Sequence, residues 1–158
     1  MPKQFLALIG FVAISFAAPG LSAALSIAGP GDWYRALNKP WFNPPDWIFG
    51  PVWTFLYAAM GVAAWLVWRN GDQRAWAWPL GLFLLQLLLN ALWTPLFFGM
   101  HRPGLALIDI VALGLAIAAA AIAFHPVSKI AAWLFIPYGL WVGFATMLNA
   151  AIWWLNRA

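Results

Sequence analysis

Five apolar runs, each near or beyond the roughly 20 residues that cross a bilayer as a helix, fill most of this 158-residue chain. They cover about residues 4–28, 46–69, 76–98, 104–124 and 130–155, and the turns between the last four are short. Only 8% of the residues are charged, against about a quarter in soluble domains. A chain so built is an integral membrane protein, all-α, and residues 1–158 read as a single membrane domain. Five spans with short turns give an up-and-down bundle whose two ends face opposite sides of the membrane. No internal repeat supports an inverted-repeat transporter architecture.

The first run begins after Lys3. Small residues near Ala17, Ala18 and Ser22 resemble a signal-peptidase site, but the apolar run continues to about residue 28, so it reads as a retained helix. Pro19-Gly20 sits mid-span, where a kink is tolerated if neighbours satisfy the freed carbonyl. Gly29-Pro30-Gly31 ends this helix. Asp32 is then placed to cap a short piece, Trp33 to Leu37, which Asn38 and Pro40 terminate.

Residues 40–57 hold four prolines and three tryptophans. Each proline lacks a backbone donor and restricts the residue before it, so the stretch is a shaped connection rather than a floppy one. Asp46 is placed to cap the helix that follows. With Trp33, Tyr34, Arg35 and Lys39 just upstream, this first loop has two readings: interfacial anchoring, or a lid folded over the mouth of the bundle.

Three spans carry inward-facing stripes. Trp53 and Tyr57 are four apart on the second, with Gly61 and Ala64 further along. Gln86, Asn90, Trp93 and Phe97 follow helical spacing on the third. Tyr138, Trp141, Ala145 and Asn149 do so on the fifth. Amides facing lipid would lack partners, so these faces point inward. A lining of rings and a few amides suits a large flat apolar ligand; interhelical packing is the competing reading.

Other features carry less. Asp109 is the one carboxylate well inside a span, read as a structural hydrogen-bonding group or a proton or cation site. His101 and His125 fall in turns on opposite sides, so they make no joint metal site. Cysteine is absent, and with it disulfides and thiol chemistry. No Ser-His-Asp set, phosphate loop or carboxylate pair can be assembled. Any chemistry would have to come from aromatic side chains or a bound cofactor. The net charge of +4 is dispersed and gives nucleic acid no footprint. Lys3, Arg69, Arg74 and Lys129 at one end balance Arg35, Lys39, Arg102 and Arg157 at the other, so charge does not set orientation. Small residues four apart, such as Gly114 and Ala118, predict close helix packing in the bundle or at a dimer contact; Gly81 with Leu84, Leu85 and Leu88 offers another dimer face.

Several stretches, taken together and in order, resemble the translocator protein family, also called tryptophan-rich sensory proteins or peripheral benzodiazepine receptors. They are Trp33-Tyr34 with Leu37-Asn38-Lys39-Pro40-Trp41-Phe42-Asn43-Pro44-Pro45, Val52-Trp53-Thr54 with Leu56-Tyr57, Gln86 to Asn90 with Leu92-Trp93-Thr94-Pro95-Leu96-Phe97-Phe98-Gly99, and Pro137-Tyr138 with Trp141, Phe144-Ala145-Thr146 and Leu148-Asn149. The resemblance implies a five-helix bundle, usually a homodimer, whose first loop closes a pocket for porphyrins and for benzodiazepine-type and isoquinoline-carboxamide ligands. It implies no cofactor beyond such a ligand. Together with the stripes it nominates Tyr34, Trp53, Tyr57, Gln86, Asn90, Trp93, Phe97, Tyr138, Trp141, Ala145, Leu148 and Asn149 as ligand-binding. Some bacterial members resemble light-dependent porphyrin-degrading enzymes, and the matching reactive positions are Trp53 and Trp141. A porphyrin or sterol transporter is the third reading. The stretch Leu148 to Arg157 lacks the tyrosine of the cholesterol motif of animal members, which argues against sterol. The chain ends at Ala158 without their longer polar tail, which fits a bacterial membrane.

Overall fold

A computed structural model of the protein describes residues 2–25 and 31–157. Helix α1 is Pro2–Leu25, α2 Gly31–Ala36, α3 Phe49–Asn70, α4 Gln73–Thr94, α5 Pro103–Phe124, α6 Lys129–Leu134 and α7 Ile136–Leu155. Five spans are long and apolar enough to cross a membrane: α1, α3 with the turn before it, α4 with the turn after it, α5, and α6–α7 together. No strand occurs among the described residues. The expected end of the first span near residue 28, and Gly29-Pro30, lie outside the described residues.

The spans close into a ring. α1 packs on α3 and α4, α4 on α5, α5 on α7, and α6 returns to α3. The ring needs one very close approach. A Cβ on Gly61 of α3 would lie 2.6 Å from the Val12 Cα of α1, so backbone meets backbone there as small residues permit. The predicted ends also hold. The Trp65 indole donates to the Gln4 carbonyl at 3.1 Å, which puts the chain start beside the α3–α4 turn. Asn38 pairs with Asn156 at the opposite end.

Prolines decide where helices deform. Pro19 lies inside α1 and Pro79 inside α4 without ending either. Pro95 has no N–H to give the Ala91 carbonyl four residues earlier. The chain widens there into a π turn over Pro95–Gly99, in which the Met100 amide donates to the Pro95 carbonyl at 2.8 Å. The freed Ala91 carbonyl is taken by the Ser22 hydroxyl of α1 at 2.8 Å. Pro137 similarly interrupts the fifth span, expected as one continuous helix, at Phe135.

Asp72 caps α4, its carboxylate accepting from the amides of Arg74 at 3.0 Å and Ala75 at 2.8 Å. The two caps expected from the sequence, Asp32 and Asp46, differ. Asp32 lies within the first turn of α2, with its carboxylate 3.5 Å from the Arg35 guanidinium. Asp46 opens a short 3-10 turn, Asp46–Ile48, and caps no amide. The two prolines before it already fix the entry geometry. Within the bundle, the expected close packing at Gly114 and Ala118 is not what forms. Nothing lies within 4 Å of a Cβ on Gly114, and Ala118 is exposed. Ala106, Ala116 and Ala120 are the small residues that α5 buries.

Candidate functional site

Two apolar clusters organise the bundle. The larger gathers Met60, Ala63, Val67, Phe83, Leu113, Phe124 and Phe135 toward the α3–α4 turn. The smaller joins Phe97, Ala106, Leu148 and Ile152 to aromatic residues of the first loop at the opposite end. At that end a cavity of about 530 Å³ opens inside the ring, within the roughly 300–1,000 Å³ typical of small-molecule sites.

The first loop covers it. Trp33 stacks on His101 with ring centres 4.3 Å apart and meets Phe97 edge-on at 5.8 Å. Tyr34 stands against Phe97 and Phe98, and Phe42 against Phe144. Two hydrogen bonds of 2.9 Å tie the loop to the end of α7. The Asn38 amide donates to the Asn156 side-chain carbonyl, and the Asn156 amide nitrogen donates to the Asn38 carbonyl. Of the two readings of this loop, the lid describes Trp33, Tyr34, Leu37 and Phe42. Trp41 and Trp47 instead point outward, 95% and 74% exposed, as anchoring residues do. His101 adopts a left-handed backbone with φ of 54°, uncommon outside glycine, and this sets its ring under Trp33. Removing the tie should loosen the lid. In Asn156→Ala, trypsin is expected to cut after Arg35 several times faster than in wild type, with the helical content unchanged.

Ten of the twelve nominated residues line the cavity: Tyr34, Trp53, Tyr57, Asn90, Trp93, Phe97, Trp141, Ala145, Leu148 and Asn149. Trp53 and Tyr57 stack at 5.4 Å, as their four-residue spacing requires, and Trp93 and Phe97 do so at 5.0 Å. The Trp93 indole donates to the Asn149 side-chain carbonyl at 2.9 Å, and the Asn149 amide nitrogen donates to the Pro103 carbonyl at 2.8 Å. That pins α4, α5 and α7 together at the cavity wall.

Gln86 and Tyr138 stand behind the wall rather than in it. Both are fully buried. They finish a directed chain in which the Tyr57 hydroxyl donates to the Asn90 side-chain carbonyl at 2.6 Å, the Asn90 amide nitrogen to the Tyr138 oxygen at 3.1 Å, and the Tyr138 hydroxyl to the Gln86 side-chain carbonyl at 2.8 Å. Tyr57 has therefore spent its hydrogen, and toward the cavity its oxygen accepts only.

Residues not nominated also line the space, among them Ser22, Asp46, Phe49, Thr94, Phe98, Ile110 and Leu113. Ser22 was readable through Pro95, whose missing donor calls for an outside hydroxyl at Ala91. Ile110 and Leu113 carried no signal, because apart from Asp109 the positions of α5 around them are all apolar or small. Asp109 is buried outside the cavity lining, and one carboxylate oxygen has no hydrogen-bond partner among the described residues. His101 and His125 stand at opposite ends. At the mouth, burial first and the Asp46 carboxylate second hold the Tyr34 phenol above its ordinary pKa.

The family model described as TspO/MBR matches residues 8–155. The translocator protein of Sus scrofa is 40% identical over 163 residues, covering 99% of this chain and 94% of that one. The tryptophan-rich protein TspO of Chlorobaculum tepidum is 40% identical over 161 residues, 99% of each. The tryptophan-rich sensory protein of Cereibacter sphaeroides is 43% identical over 133 residues, 84% of this chain and 80% of its own.

Proposed function

Because this chain belongs to the TspO/MBR family, we propose that it is a membrane receptor for porphyrins and related flat apolar molecules, benzodiazepine-type compounds included, held in the cavity beneath its lid. The observation that carries this reading is the lining itself. Trp53, Trp93, Phe97 and Trp141 supply ring faces, while Tyr57, Asn90 and Asn149 supply a few fixed polar atoms. Rings stack on such faces, and the polar atoms fix the ligand's edge. The protein needs no cofactor beyond the ligand. It works as a homodimer in a bacterial membrane, where the exposed Leu84, Leu85 and Leu88 beside Gly81 on α4 offer one contact face.

One observation favours a second reading, light-dependent porphyrin degradation. Trp53 stacks on Tyr57 and lies edge-on to Tyr138 at 6.1 Å, and Trp141 stands on the same cavity. Oxidisable indole and phenol rings thus sit where a photoexcited ring would lie. A titration of reconstituted protein with protoporphyrin IX, dark and illuminated, separates the readings. Saturable dark binding with stable absorbance under light is the receptor's result. Light-dependent loss that disappears in Trp53→Phe or Trp141→Phe, while dark binding survives, makes the protein an oxidase. Absence of saturable dark binding removes porphyrin as the ligand.

A further inference from the structure

A second concavity, of about 350 Å³, opens on the lid itself, walled by Tyr34, Arg35, Lys39, Asn43 and Asp46. Tyr34 and Asp46 also line the inner cavity, so the two spaces share a partition. Their chemistry differs. No lysine, arginine or histidine lines the inner cavity among the described residues. A carboxylate carried inside would find only neutral groups and the Asp46 carboxylate, at a large desolvation cost. The outer concavity holds two cations. Arg35 is already paired with Asp32 at 3.5 Å. Lys39 is not paired with any carboxylate among the described residues. Its ammonium lies over the Tyr34 ring, 4.5 Å from the centre, and 3.5 Å from the Arg35 carbonyl.

Resting on the receptor reading above, we infer that the lid concavity is an anion subsite: the ligand is a flat ring system bearing a carboxylate, its rings in the inner cavity and its carboxylate on Lys39 and Arg35. Tyr34 and Asp46 stand at the crossing point. The Tyr34 phenol carries a hydroxyl hydrogen that it can offer an oxygen passing it. Asp46 opposes an anion that stops short of Lys39, and so favours ligands long enough to reach past it. Lys39 is placed on the lid rather than on a span, so the same contact that holds the carboxylate also holds the lid down on the ligand.

The test uses two probes, protoporphyrin IX and its dimethyl ester, which share the ring and differ in the two carboxylates. Each is titrated in the dark into the reconstituted full-length protein and into the Arg35→Gln/Lys39→Gln double variant. The double variant should lose about fivefold in affinity for the acid, the upper range for a partly exposed ion pair, and bind the ester as wild type does. Added salt should weaken the acid alone. Asp46→Asn should tighten the acid more than it changes the ester. Equal loss of both probes, no loss of either, or acid binding that stays or falls in Asp46→Asn overturns the anion subsite while leaving the receptor standing. Failure of both probes to bind wild type overturns the receptor reading and the subsite with it. Ester binding by each variant reports that it is folded.

Discussion

Replacing Asn90 with leucine is expected to cost about 1–3 kcal/mol of stability and roughly tenfold in porphyrin affinity. Asn90 joins α3, α4 and α7 through two hydrogen bonds, one from Tyr57 and one to Tyr138. Interhelical hydrogen bonds in membranes contribute about 0.6 kcal/mol on average and up to about 1.7, which sets the stability range. The affinity loss has a separate origin. Asn90 lines the cavity and fixes the Tyr57 oxygen as an acceptor toward the ligand. A leucine frees the Tyr57 hydroxyl to turn. Gln86→Leu is the discriminating control, because Gln86 touches the same chain only through Tyr138 and lies outside the lining. It should lower the thermal midpoint in detergent yet change affinity by less than about twofold. Equal losses of affinity in the two variants would mean that the chain acts as one unit and that the wall position of Asn90 does not matter.

Gly61→Val should have the larger effect on folding, lowering stability by about 3 kcal/mol, at the top of the range for overpacking. A valine Cβ would sit 2.6 Å from the Val12 Cα and 2.9 Å from its nitrogen. Those are backbone atoms of another helix, so no rotamer change relieves the clash and α1 must move away from α3. That movement also draws Pro19, Ser22 and Ala23 back from the cavity wall, so ligand affinity should fall with the thermal midpoint. Gly10→Ala is the matched control. Nothing lies within 4 Å of a Cβ at Gly10, and alanine is the better helix former, so the midpoint should hold or rise. A Gly61→Val midpoint within a degree of wild type would show that the helices are free to separate there.

These outcomes depend on contacts that the sequence displayed to very different degrees. Helix spacing alone put Trp53 over Tyr57, because a periodicity of 3.6 stacks residues four apart along a regular helix. Low charge and long apolar runs announced the spans, because a bilayer admits little else. Neighbours across helices were another matter. Gly61 read as one small residue on a stripe, and only the ring order of helices brings Val12 to it. Gln86 and Tyr138 shared the stripes of cavity residues, yet one helical face is wide enough to hold both a wall and the layer behind it. The Gly114–Ala118 pair satisfied the small-residue spacing but faces away from the neighbouring spans, since spacing carries no direction around the helix axis.

The lid shows the same division within one segment. Prolines and aromatics made it rigid and apolar, and its composition fitted either a surface anchor or a cover. Tertiary structure assigned Trp33, Tyr34 and Phe42 to the cover and Trp41 and Trp47 to the outside. Asn156 tied it down from 118 residues away. By itself the sequence determined the class, the spans, the rigid first loop and the residues on each inward stripe, because those follow from local backbone chemistry and from the bilayer as solvent. Only the folded ring of helices decided which stripe residues meet a cavity, which hydrogen bonds direct its polar atoms, and which lid face closes it. Those depend on side chains brought together from distant positions, and no local rule specifies their meeting.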